Sequence, residues 1–71
     1  MKTEYRIVEI DEFGETTRTL IYFVSRRMLP EAVQQLIDDG IESNIAIEQW
    51  EETEDGFGLV DKDFSYSNFL Q

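Results

Sequence analysis

The chain predicts an α+β domain: a small antiparallel sheet with one helix on one face, in the order strand, strand, helix, strand. Three observations lead there. Two β-rich segments flank a polar patch that carries a glycine, a stretch with apolar residues at helical spacing follows a proline, and a third β-rich segment comes after it. With 71 residues, 1–71 form a single domain with a thin core, because so short a chain buries only about 60–65% of its unfolded surface.

Thr3 to Ile10 supplies the first strand through Tyr5, Ile7, Val8 and Ile10, and stops at Asp11-Glu12-Phe13-Gly14-Glu15, a hairpin signal. Thr16 to Ser25 is the return arm. Strict alternation puts Leu20, Tyr22 and Val24 on one side and Thr19, Ile21 and Phe23 on the other, so one apolar set is left facing away from the helix. Pro30 in the first turn, with Glu31 beside it, announces the helix. Leu29, Ala32, Val33, Leu36 and Ile37 form its apolar stripe, Glu31, Gln34, Gln35, Asp38 and Asp39 its polar face, and Gly40 its left-handed cap. Asn44 to Trp50 reads as the third strand, able to run on into Glu51-Glu52-Thr53. A right-handed crossover to it leaves room for the first strand in the centre, with every neighbour antiparallel. For 59–71 three options stand: a short fourth strand, a packed arm or a flexible tail.

Several function classes are closed by composition. Histidine and cysteine are both absent, which removes the near-neutral proton shuttle, the thiolate nucleophile, the usual zinc ligands and any disulfide. Ser25, Ser43, Ser65 and Ser67 therefore have no histidine base. Asp38 and Asp39, as helical neighbours, do not face a common substrate. Gly56-Phe57-Gly58 lacks the remainder of a phosphate loop. Asp61-Lys62-Asp63-Phe64-Ser65 opens like a calcium loop, but Tyr66 stands where that loop needs glycine. No enzyme, cofactor or metal is expected. Met1-Lys2-Thr3-Glu4 precedes no apolar run, no stretch approaches the roughly 20 apolar residues of a membrane span, and a cysteine-free chain suits a reducing cytoplasm.

Charge is the informative feature. From Met28 to Asp61 there are ten acids and neither lysine nor arginine, while the remaining residues balance six acids with six bases, so the whole net charge of -10 belongs to that stretch. Its densest part is Glu48-Gln49-Trp50-Glu51-Glu52-Thr53-Glu54-Asp55. If extended, it sets Glu48, Glu52 and Glu54 on the face of Trp50, with next-but-one residues about 6.6 Å apart. A row of carboxylates with an aromatic in it suits a groove built for a phosphate backbone; the bland alternative is a solvated strand edge with Trp50 in the core.

These features predict a non-enzymatic, acidic protein-binding module, an inhibitor or regulator that occupies a basic, nucleic-acid-binding surface of a partner protein. In size and charge it is similar to small inhibitors from phages and other mobile elements. The partner-binding residues expected are Glu48, Trp50, Glu51, Glu52, Glu54 and Asp55, with Asp38, Asp39 and Glu42 as a flanking patch. Direct contact with nucleic acid or an anionic membrane is disfavoured at a pI near 4.1. The rival expectation is a small structural subunit that forms a homodimer through the open sheet face, its charge serving solubility.

Overall fold

A computed structural model describes residues 2–41 and 44–65, with Phe23 and Val24 described by their backbone alone. The elements are β1 (Thr3–Ile10), β2 (Thr16–Val24), a 3-10 turn (Arg26–Met28), α1 (Leu29–Asp38), β3 (Ile45–Thr53) and β4 (Gly56–Asp63). They form one four-stranded sheet in the order β2-β1-β3-β4, antiparallel throughout.

The α+β class and the central position of β1 follow the sequence reading, and of the three options for 59–71 the fourth strand is the one found for 59–63, which makes the element order ββαββ where ββαβ was the base expectation. Residues 59–63 belong to an eight-residue β4 that pairs with β3 from Thr53↔Gly56 to Ile47↔Asp63. Two glycines and two aspartates keep the strand propensity of this segment low. Its conformation comes from pairing across the Glu54-Asp55 turn. Asp61-Lys62-Asp63 is thus extended strand, unlike the convergent loop a calcium ion needs. Residues 66–71 of the expected arm or tail lie outside the described residues.

The first turn is organised by Asp11. One oxygen of its carboxylate accepts from the N–H groups of Phe13 (2.8 Å) and Glu15 (2.9 Å), while its carbonyl accepts from Gly14 (3.1 Å). Gly14 sits at φ 81°, a conformation side-chain-bearing residues rarely adopt. The helix ends as expected. The Ile37 carbonyl accepts from Gly40 N–H (3.0 Å) and that of Leu36 from Ile41 N–H (3.1 Å), with Gly40 at φ 92°. This is the double-bonded Schellman end, and Ile41 adds its side chain to the same apolar cluster as Leu36.

Two apolar clusters lie on opposite faces of the sheet. On the helix side Ile7, Val33, Ile45 and Ile47 are buried, with Tyr5, Leu20, Ile21, Leu29, Ala32 and Leu36 around them. Strict alternation fails in β2, because Ile7 pairs with Ile21 and Val8 with Thr19. Leu20 is the extra residue of a bulge, and so both Leu20 and Ile21 reach the helix-side cluster. Ile37, expected in the apolar stripe, is 36% exposed at the helix end.

The second cluster, Val8, Ile10 and Ala46, is buried without a helix over it. Thr16 pairs with Ile10 at the end of the hairpin, yet its hydroxyl donates to Glu48, which pairs with Arg6 four positions back along β1. For that contact the hairpin must curl over the face away from the helix, with Val8 and Ala46 beneath it. Three register shifts between β1 and β2 supply the extra twist. The face expected to be bare therefore carries a folded-over hairpin end, and the side chains of Phe23 and Val24, which the expectation also involved, lie outside the description.

Candidate functional site

Glu48 heads the expected partner-binding row, and the fold takes it off the surface. It is 5% exposed. Its carboxylate accepts the indole N–H of Trp50 (2.9 Å) and the hydroxyl of Thr16, and lies 3.5 Å from the Lys62 ammonium. Lys62 in turn donates to Thr16 Oγ1 (2.8 Å) and the Gly14 carbonyl (2.9 Å), tying β4 to the curled hairpin. Burial by itself pushes the pKa of Glu48 up, but the bonds from Thr16 and Trp50 and the charge of Lys62 outweigh it and hold the carboxyl below its ordinary value.

Trp50 is half-buried, and one face of its ring is covered by the Arg6 guanidinium, 4.3 Å from the ring centroid. Arg6 also lies 5.5 Å from the Tyr22 ring and 3.7 Å from Glu4. The tryptophan expected to anchor a partner is thus engaged through its N–H and through one ring face.

The remaining acids of the segment stay at the surface. Glu51 is half-exposed, and Glu52, Glu54 and Asp55 are exposed. Glu52 shares the Trp50 face of β3, whereas Glu54 and Asp55 form the turn into β4, so the expected single row is a short strand end and a hairpin tip. Thr53 Oγ1 accepts from Asp55 N–H (3.3 Å) and donates to the Gly56 carbonyl (3.2 Å), which fixes the turn. Lys2 is the base beside this tip, its carbonyl accepting from Glu52 N–H (2.9 Å).

Asp38 and Asp39 are exposed at the end of α1, accepting from the amides of Gln34 (3.0 Å) and Gln35 (3.1 Å). That end feeds β3 at Ile45, while the hairpin tip follows its last residue, Thr53. Roughly 25 Å of strand separates them at about 3.3 Å per residue. The flanking patch is therefore at the opposite end of the molecule from the acids it was expected to flank. Glu42 lies outside the described residues.

Two residues of this surface were missed by sequence reasoning. Lys62 was hidden because its partners, Glu48, Thr16 and Gly14, are distant in sequence. Phe13, 81% exposed at the hairpin turn, did carry a signal: an aromatic in a turn otherwise made of acids and glycine. A half-open groove of about 220 Å³ also lies between Arg26 and Leu29 on one side and Asp61 and Asp63 on the other, floored by Ile47 and Gln49. Among the described residues no cluster of acids is arranged to hold a metal ion, and no helix is long and apolar enough to cross a membrane.

Comparison with family models, with curated proteins and with solved structures finds no match to this chain.

Proposed function

We propose that the chain is a non-enzymatic protein-binding module whose acidic β3–β4 tip occupies a basic surface of a partner, of the kind that otherwise holds nucleic acid. The observation that carries this reading is where the bases go. Arg6, Arg18 and Lys62 pair with Glu4, Glu9 and Glu48. Glu51, Glu52, Glu54 and Asp55 are left without an ion-pair partner among the described residues, close together around the β3–β4 turn. Exposed carboxylates held close together on a fixed turn repel each other, and cations on another molecule relieve that repulsion. The site is then Glu51, Glu52, Glu54 and Asp55; Glu48 holds the scaffold behind them. An inhibitor that mimics nucleic acid, of the phage or mobile-element type and working in the cytoplasm, is the specific form this reading takes.

The test is affinity capture with the wild-type chain and with the triple variant Glu51→Gln, Glu52→Gln, Glu54→Gln, washed at rising salt. A basic partner that displaces its nucleic acid on binding, is released by salt and is held at least about tenfold more weakly by the variant supports the proposal. Equal capture by both chains sinks it.

A self-associating subunit remains the second reading, carried by a different surface from the one expected. Edge strand β4 exposes Leu59 (48%) and Val60 (52%) beside Phe57. Under this reading Leu59→Asp turns a dimer into a monomer on sizing.

A further inference from the structure

We infer that the β1–β2 loop is a preformed docking knob, in which Phe13, flanked by Glu12 and Glu15, enters an apolar pocket rimmed by lysine or arginine on a partner protein. The inference takes the chain to be a protein-binding module, but it concerns the opposite end of β1 from the acidic tip, since Thr3 pairs with Glu51 while the loop follows Ile10.

Phe13 is the most exposed of the large apolar side chains among the described residues, at 81%. Its backbone is nevertheless held from several directions. The Asp11 carboxylate accepts the N–H groups of Phe13 and Glu15, and Asp11 N–H donates to the Glu15 carbonyl (2.9 Å). The next residue, Gly14, gives its carbonyl to the Lys62 ammonium and lies so close to Phe64 that an added Cβ would sit 3.3 Å from the ring. A loop fixed before binding loses little entropy when it docks, and a rigid aromatic is the kind of side chain that dominates binding energy.

Charge sets the kind of pocket. Glu9 is answered by Arg18, whereas Glu12 and Glu15, which flank Phe13 in sequence, stand exposed without an ion pair among the described residues. An apolar hole with a basic rim complements that arrangement. A second copy of the chain would bring another charge of -10 against it, and an anionic lipid surface would repel it.

The experiment places photo-reactive p-benzoylphenylalanine at position 13 of the full chain, with position 28 as control, an exposed site away from both the acidic tip and the β4 edge, and irradiates it in lysate. The same lysate is titrated with Phe13→Ser and with the triple tip variant. The knob is supported if position 13 crosslinks to apolar residues within a lysine- or arginine-rimmed pocket and Phe13→Ser weakens that complex by at least about 30-fold with its melting temperature unchanged. It is overturned if Phe13→Ser binds within twofold of wild type, if position 13 crosslinks only to a second copy, or if amide relaxation shows residues 11–15 moving faster than the strands. Loss of capture by the tip variant alone overturns the knob and leaves the proposed function standing. Loss by Phe13→Ser alone does the reverse, and the absence of any partner removes both.

Discussion

Glu48 shows what it takes to keep a carboxylate under a hairpin. Desolvation opposes the charge, and the bonds from Thr16 and Trp50 together with Lys62 overcome it, so the folded group is a stronger acid than the unfolded one. The sign of its pH dependence follows. A carboxyl whose folded value is depressed adds stability above its unfolded value near 4.5 and loses it as pH falls through the folded value. Wild type should therefore lose stability between about pH 5 and pH 3 more steeply than Glu48→Gln, and the difference between the two urea-melting curves at each pH isolates this one group. At pH 7, Lys62→Met should cost about 2–4 kcal/mol, because the buried carboxylate then keeps its charge without the ammonium. An acid limb equally steep in Glu48→Gln would show that the network does not work through ionised Glu48.

Gly14 and Gly40 both have positive φ, yet they should differ in cost. Around Gly40 nothing lies within 4 Å of an added Cβ, so Gly40→Ala meets backbone strain alone, about 1 kcal/mol. At Gly14 the same strain is joined by displacement of Phe64, whose ring sits 5.9 Å from Lys62. Gly14→Ala should thus cost more than Gly40→Ala in urea unfolding, and equal costs would mean that the loop does not lean on Phe64. The contrast also shows which elements were legible in the sequence. Gly40, Pro30 and the Asp11 turn act over a few residues, and the strand, helix and turn they mark could be read directly. Leu20 could not be placed, because its bulge depends on how β2 meets β1. β4 was legible only as one of three options, and its start at Gly56 was hidden by its glycines, its conformation coming from β3. Within the candidate site, exposure of Glu52, Glu54 and Asp55 follows from composition around a turn. Glu48 was misplaced because one of the residues that bury it, Thr16, lies 32 positions away.

Across the whole molecule, folding draws two bases, Arg6 and Lys62, into partly buried pairs and leaves most of the acids at the surface. Asp11, Glu12 and Glu15 follow the end of β1, Asp38 and Asp39 lie at the end of α1, and Glu51 to Asp55 lie at the tip. A net charge of -10 in a body 39 × 26 × 17 Å makes self-repulsion a standing cost of the fold. Carboxylates on neighbouring residues lie within the screening length of dilute buffer, which exceeds about 10 Å below 0.1 M salt, so dilute buffer leaves the repulsion between them nearly intact. Raising sodium chloride from about 0.02 to 0.5 M should therefore stabilise the chain by about 1 kcal/mol, or roughly 4–8 °C in melting temperature. The buried Lys62–Glu48 pair is screened far less and should not reverse that trend. Replacing Glu51, Glu52 and Glu54 with glutamine should raise stability in dilute buffer and flatten the salt slope, while weakening capture of a basic partner. Stability and binding would then move in opposite directions at the same side chains, as expected where surface charge is retained for recognition at the expense of the fold. If the triple variant melts no higher than wild type in dilute buffer, the tip carboxylates are already well solvated and the case for cations on a partner loses its electrostatic basis.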